Sequence, residues 1–373
     1  MDFELSDDQV ALREAASALL DARSDTTAVR AAADAGGFDA GLWSAMVDQG
    51  WTGLAVPEME GGLGLGTVEV AVVLEEAGRH LAPVPLLPTL VALDALRSAR
   101  SDGVDGLDTW IGALLGGTTT AAIGWSARSA AVVAAGGDES LLSGRTAPAV
   151  GAPAAGVAVV CATDRAADGG ERAPSALYAV DLDTVGRPDP QPAMDRTRQV
   201  GWLEFDDTPA VRLGGADAAG AVLDAAATLT SVEMLGAASA VLDMSVEYAK
   251  ERVQFGRPIG SFQAVKHRCA DMLVDVEGMR SSAYWAAWAL GAADSEAPVA
   301  ASTAKIWCSD AAKRVMDSGL QVHGGIGFTW EHDLHLFMKR SQLDQVSFGD
   351  AAYHRQRLAG LLREKVEAGD PVL

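Results

Sequence analysis

The strongest constraint in the sequence is a helical periodicity that recurs three times toward its C-terminal end. Val232, Leu235, Ser239, Leu242 and Val246 step by three and four residues. Phe262, Val265, Cys269, Met272, Val276 and Met279 do the same, as do Ala301, Ala304, Cys308, Ala311, Val315, Ser318 and Val322. A narrow apolar stripe of this kind is buried only against other helices, so the spacing predicts three long helices of a bundle. Cys269 and Cys308 fall on the stripes and read as core residues, not nucleophiles.

The bundle is one of three parts. A chain of 373 residues is long enough for two or three domains. Residues 1–112 read as helical, opening on Ser6-Asp7-Asp8-Gln9, a helix start. The run from Thr67 to His80 is a second apolar helix. Between them, VPEMEGGLGLG (56–66) is glycine-rich, but no strand–turn–helix surrounds it, so it reads as a plain turn and not a phosphate loop. Residues 113–214 change character. Short β-rich runs appear at AAVV (130–133), GVAVVCA (156–162), ALYAVDL (176–182) and VGWLEF (200–205), with TDRAADGGERAPS as an exposed loop. Residues 215–373 return to helix. The expected fold is α+β: a helical domain, a small β-barrel or sandwich, and a helical bundle.

Composition narrows the function classes. Charged residues are 21% and apolar residues 49%, the balance of a folded chain. No apolar run approaches the roughly 20 residues of a membrane span, and the acidic start MDFELSDDQV is not a secretory leader. Three cysteines far apart give neither a disulfide framework nor a CxxC metal site, and a reducing cytoplasm is the expected compartment. The net charge of −22 repels nucleic acid and anionic membranes. Any phosphate must therefore be met by local cations or backbone NH groups. His332 and His335, with His323, lack a further ligand at standard spacing, so no metal site is expected.

Two C-terminal stretches carry a resemblance. YAKERVQFGRPIGSFQAVKHRCADM (248–272) and QVHGGIGFTWEHDLHLFMKR (321–340) resemble the acyl-CoA dehydrogenase family. So do LWSAMVDQGWTGLAVPEMEGGLGLG, EEAGRHLAPVP and DRTRQVGWLEFDDTPA, so that the resemblance covers nearly the whole chain. It implies an FAD-dependent, tetrameric oxidoreductase of fatty-acid or steroid degradation. In such an enzyme a carboxylate removes the α proton of an acyl-CoA thioester, a hydride passes to the flavin, and an electron-transfer flavoprotein takes the electrons. It also implies that a neighbouring subunit's bundle reaches the FAD diphosphate and adenosine. At the matching positions stand Arg252, Gln254, Phe255 and Gln263, and then Gln321, Gly324 and Gly325. An arginine fork and close-approaching glycines suit phosphate oxygens.

Other family positions are not matched. The flavin-facing TEPGxGSD-like and WITN-like stretches correspond to TTTAAIGWSARSAAVV (118–133) and SGRTAPAVGAPAAG (143–156). Trp125 and Ser126 are stand-ins by position only, and Trp125 reads as packing. The catalytic Glu of the common Tyr-Glu-Gly-Thr stretch aligns, without a gap from Gly325, with Phe348. The alternative position on an earlier helix falls at Ala226, beside Ala227. Of the nearby acids, Glu233 lies beside a stripe, Glu247 near a helix end, and Asp350 reads as an N-cap while being the substitute base closest to the lost one.

This one-sided pattern is expected of one subunit of a heteromeric (α2β2) acyl-CoA dehydrogenase, of the actinobacterial steroid-degrading type. Such a chain completes its paralogous partner's FAD site and leaves room for a bulky acyl group. Two other readings remain: a self-sufficient homotetramer with an unconventional base such as Asp350, and a non-catalytic paralogue that binds acyl-CoA or a partner protein.

Overall fold

A computed structural model describes residues 4–126, 132–135, 140–164 and 176–371. Six helices come first: α1 Asp7–Arg23, α2 Thr26–Asp34, α3 Ala40–Asp48, α4 Thr67–Arg79, α5 Leu86–Ser101 and α6 Asp108–Leu115. Strands follow: β1 Ala121–Gly124, β2 Val132–Ala135, β3 Ser140–Arg145, β4 Ala149–Val150, β5 Val157–Asp164 and β6 Ala176–Asp181. A short helix α7, Leu182–Val185, precedes β7 Val200–Gly201 and β8 Glu204–Gly215. The last part holds α8 Ala216–Glu251, the ribbon β9 Val253–Gln254 with β10 Arg257–Pro258, and four further helices. These are α9 Gln263–Gly291, α10 Ala297–His323, α11 Leu334–Val346 and α12 Ala351–Ala368. The helical, β and helical order agrees with the α+β expectation.

The chain forms two compact units. One contains residues 31–66 and 83–226, the other residues 4–30, 67–82 and 227–371. In the first unit β5 pairs on one side with β6 and on the other with β1 and then β2, while β6 also pairs with β8. The ladder β5-β2-β3-β8-β6 thus returns to β5 and closes a small barrel. Its interior follows the period of two. Ala158, Val160 and Ala162 of β5, and Ala176, Tyr178 and Val180 of β6, are buried in one core. Trp125 is buried and Ser126 half-buried. Residues 127–131 of the flavin-facing stretch, residues 130–131 of AAVV, and residues 165–175 of the loop expected to be exposed lie outside the described residues. VPEMEGGLGLG folds as a short 3-10 turn over Glu58–Glu60 with Gly61 and Gly64 at positive φ, and a Cβ at Gly62 would strike Val56. Here the glycines serve packing.

In the second unit α1 begins with a capping box. Gln9 N donates to Ser6 Oγ at 3.3 Å and Ser6 N to Gln9 Oε1 at 3.0 Å. The helices pack through small residues. Ala286 and Ala289 of α9 meet Ala300 and Ala304 of α10 in one cluster. Between α4 and α8 the approach is closer still. A Cβ on Gly78 would run into the carbonyl oxygen of Glu233, and one on Gly236 into that of Glu75. Two glycines therefore let the two backbones touch.

Two expectations need correction. α8 is apolar enough over part of its length to pass as a membrane span by length and composition, but 94% of that stretch is buried inside the fold. It is a core helix. The stripe on α9 is core only from Met272 onward. Phe262, Val265 and Cys269 are half-buried, and Leu273 and Val274 are exposed. Cys269 lines an open apolar groove of about 440 Å³ with Val246, Ala249, Pro258 and Val265. Cys308 is buried on its stripe as expected, with burial pushing its thiol up to about 12.

The glycine crossing gives a stability test. Gly78→Ala and Gly236→Ala should each cost about 1–3 kcal/mol in urea unfolding, the range of an overpacked core. The double variant should cost less than the sum, because both changes push apart the same pair of helices. Gly112 of α6, exposed and with open space at its Cβ, is the control. Gly112→Ala should be neutral or stabilising by about 0.5–1 kcal/mol.

Candidate functional site

The residues singled out by the motifs gather at one end of the second unit. α8 ends at Glu251, and Arg252 follows with its NH still donating to Tyr248 O at 2.9 Å. The chain then makes the tightest possible ribbon. Gln254 pairs with Arg257 across Phe255 and Gly256, both at positive φ (54° and 78°). Positive φ at both central residues is the turn that matches strand twist. Gly256 meets it freely, whereas a Phe there is strained. Phe255 is 91% exposed, its ring edge-on to Phe262 at 6.0 Å, over which Arg257 also stacks. Gln263 is the next residue, exposed at the start of α9. Arg252, Gln254, Phe255 and Gln263 are thus brought together on one exposed ribbon and helix start.

The second motif lies at the end of α10. Gln321 is exposed in its last turn. His323 closes the helix, and Gly324 leaves it at φ 61°, ψ −137°, a conformation that excludes a side chain on steric grounds. Gly324 is therefore required by the backbone whatever else it does. Gly325 is different. Its φ is not positive, and a Cβ there would meet nothing within 4 Å. Among the described residues its side toward a Cβ is open. The two motifs are linked by an aromatic stack between Tyr248 and His323, with ring centroids 4.7 Å apart and planes inclined by 23°.

The electrostatics separate residues with internal work from those without. Arg252 is exposed, and its guanidinium has no hydrogen bond or ion pair among the described residues. It does not cap α8. An unengaged guanidinium, a strained exposed aromatic, and a glycine with an open side fit a diphosphate carrying a planar base.

The turn at Phe348, where the resemblance leads one to expect a base, is built differently. Phe348 is half-buried at φ 55°, followed by Gly349 at φ 94°. Beneath this turn the ammonium of Lys305, fully buried, donates to the carbonyls of Asp344, Gln345 and Gly349 at 3.0, 3.0 and 2.8 Å. His354 Nε2 donates to Phe348 O at 2.9 Å, and burial pulls this imidazole down to about 4. Asp350 caps α12, its carboxylate accepting from Tyr353 N at 2.8 Å. The N-cap expectation is met. Ala226 and Ala227 are both buried. Glu233 is buried, and Glu247 is exposed and paired with Lys250 at 2.5 Å.

The sequence reading missed three features. The Tyr248–His323 stack joins two motifs that were read separately. Lys305 sits between Ala304 and Cys308 of a stripe, and nothing in that pattern marks a lysine as buried. Glu75 of α4 is also buried, bound by Arg280 and by Tyr284 Oη at 2.7 Å. His323, His332 and His335 are engaged with aromatic rings, and among the described residues no group of three side chains forms a metal set.

Lys305 makes the stability of this end depend on pH. Burial pulls its ammonium from 10.5 down to about 8. Between those values the unfolded chain binds the extra proton, so stability contributed at this site rises as pH rises. Measured as wild type minus Lys305→Met, the unfolding free energy should shift by about 2 kcal/mol in favour of wild type from about pH 7.5 to about pH 9.5. A difference that is flat with pH would refute the lowered proton affinity of Lys305, since a lysine that keeps its ordinary affinity is charged in both states across this window.

Comparison with known proteins places this geometry in a family. Residues 6–96 match the acyl-CoA dehydrogenase N-terminal domain and residues 214–362 the acyl-CoA dehydrogenase C-terminal domain. Acyl-CoA dehydrogenase IpdE2 of Mycolicibacterium smegmatis is 34% identical over 346 residues, 90% of this chain and 93% of that one. Among solved structures, the Tcur3481-Tcur3483 steroid ACAD is 30% identical with a TM-score of 0.87, over 96% of this chain and 99% of that one. The ChsE4-ChsE5 complex from Mycobacterium tuberculosis is 29% identical with a TM-score of 0.87, over 98% of this chain and 99% of that one. By its sequence along both helical regions and by its fold, this chain belongs to the acyl-CoA dehydrogenase family, whose cofactor is FAD.

Proposed function

We propose that this chain is the subunit of a two-chain acyl-CoA dehydrogenase that completes FAD sites whose general base lies in a paralogous partner. The observation that carries this reading is the contrast at residues 348 and 252. The base position holds a phenyl ring, which takes no proton, while the arginine of the FAD motif stands with no acceptor among the described residues. Removal of a thioester α proton needs a carboxylate that is desolvated and held against the substrate. Asp350 is exposed and engaged as a helix cap, and Glu247 is exposed and salt-bridged, so neither meets that need. When bound, FAD supplies acceptance of the two electrons that leave the acyl chain.

In this reading Arg252 holds the diphosphate, and the backbone at Gly324 and Gly325 approaches it closely. Gln254 and Phe255 accompany Arg252 at the diphosphate, Gln263 is a further FAD contact, and Gln321 lies toward the adenosine and diphosphate. The substrate is a bulky acyl-CoA, such as a steroid side-chain thioester. One solved relative named as a steroid ACAD and one named as a complex of two unlike proteins support substrate and partnership alike. Domain boundaries near residues 112 and 214, an electron-transfer flavoprotein as acceptor and a cytoplasmic location belong to the same proposal.

Flavin content and native mass of the chain, purified alone and after co-expression with a neighbouring dehydrogenase gene, test the partnership. The proposal expects little flavin alone and a yellow heteromer together. A yellow homotetramer with one FAD per chain would overturn it. In the heteromer, Arg252→Ala and Gly325→Ala should lower FAD occupancy, with Gly325→Ala leaving unfolding within about 0.5 kcal/mol because its Cβ points into open space. Asp350→Asn should keep turnover within a few-fold. A loss of about 10²-fold or more, the scale of a missing general base, would make Asp350 the base and this chain self-sufficient.

A further inference from the structure

We propose that His323 is a positioning residue that locks the Arg252 ribbon and the Gly324–Gly325 turn into one rigid FAD cradle. This rests on the reading of those residues as FAD contacts and adds what holds them in register. Arg252 and Gly325 belong to elements that are remote in sequence, the ends of α8 and α10. Each end is exposed, and the ribbon after α8 has only two residue pairs. Something between the ends must set their spacing.

The side chains that meet there are Tyr248 and His323. Tyr248 lies one helical turn before Arg252, and its carbonyl accepts the Arg252 NH. His323 is buried at 4% exposure and immediately precedes Gly324. Its Nδ1 lies 2.8 Å from Gly319 O, which only accepts, so Nδ1 carries a proton and the ring is fixed along the last turn of α10. Tyr248 stacks on this ring, and His332 packs edge-on against it at 4.5 Å. His332 is fixed in turn, its Nδ1 accepting from Leu334 N at 3.1 Å. The imidazole of His323 is therefore a wedge between α8 and the segment that follows the glycines. Aromatic contacts of this kind are directional, so they set orientation as well as distance.

The wedge is also titratable. Burial holds both imidazoles below the ordinary histidine range. The groups around them are Tyr248 on α8, Arg30 on α2, Asp333 paired with that arginine at 2.7 Å, and His335 and Lys339 on α11. Since folding lowers the affinity of His323 for protons, the neutral stack is stable at and above the ordinary histidine range and is weakened as pH falls below it. A cation in this position would replace a packed neutral ring with a charge whose second N–H has no acceptor among the described residues.

The test uses the FAD-loaded assembly isolated through a tag on this chain, with flavin release followed by fluorescence on dilution from about pH 8 down to about pH 5. Wild type should lose FAD increasingly as pH falls. His323→Phe keeps an aromatic ring for Tyr248 and removes the proton, so it should retain FAD near the wild-type level at neutral pH and show a flatter acid profile. His323→Ala should release FAD at least about tenfold faster at every pH. Arg252→Ala is measured in parallel. If Arg252→Ala speeds release but His323→Ala does not, or if His323→Phe behaves as His323→Ala does, the wedge is refuted while the FAD contact stands. If Arg252→Ala leaves release unchanged, the FAD reading itself fails and the positioning role fails with it.

Discussion

The backbone contact between α4 and α8 is the constraint on which the second unit depends. Helices ordinarily pack with axes about 8–10 Å apart, separated by side chains. Here Gly78 faces the Glu233 carbonyl and Gly236 faces the Glu75 carbonyl, so each helix supplies the gap that the other fills. The contact is reciprocal, and neither glycine has a substitute. It fixes α8 at a defined rotation. The same rotation buries Val232, Leu235 and Leu242 and carries Tyr248 round to His323. At about 1.5 Å per residue, Arg252 lies roughly 24 Å along the chain from Gly236. The placement of an exposed arginine is thus anchored by a buried glycine several turns away.

Positive φ values at non-glycine residues mark where the fold accepts local cost. Phe255 and Phe348 both adopt this conformation, each at a penalty of about 1 kcal/mol or more. Their supports differ. The turn at Phe348 is held from beneath by three hydrogen bonds from Lys305 and one from His354. Its shape is set by the buried lysine and by Gly349, not by the side chain at 348. At Phe255 the tip of the ribbon is displayed to solvent, with Phe262 and the ribbon partners as its support among the described residues. Displaying a strained aromatic to solvent gains nothing for folding.

Legibility in the sequence followed the strength of the period. α10 was readable because its stripe runs unbroken from Ala301 to Val322 and is buried at nearly every step. α9 carries an equally regular stripe, yet its first turns are half-exposed. A period reports that a face is apolar, not what covers it. The strands were harder. β1 is Ala-Ala-Ile-Gly and β4 only two residues, too short and alanine-rich to show alternation. β8 runs through Asp206, Asp207, Thr208 and Pro209 to Gly215, a sequence that reads as loop and is held as strand by β3 and β6 on either side. The candidate site residues came only from the family resemblance. Composition and spacing alone do not distinguish Gly325 from any glycine after a helix.

Paired comparisons distinguish them physically. Gly324 and Gly325 are neighbours, but the backbone explains the first and not the second. Asp350 and Arg252 are both exposed charges just outside a helix, but Asp350 is bonded to its helix and Arg252 is not. Arg252 and Gly325, both without such internal work, are the two that the proposal gives to a diphosphate. The charge balance sharpens this. A chain at −22 gives no long-range attraction to an anion, and screening confines each charge to about 8 Å at physiological salt. Glu247 and Glu251 flank the site on α8. In the proposed site, affinity for a dianion would come from short, well-aimed contacts: one forked cation and the NH groups of a glycine turn. Contacts of that kind work only if their spacing is fixed in advance, and the stacked rings of Tyr248 and His323 join the two motifs.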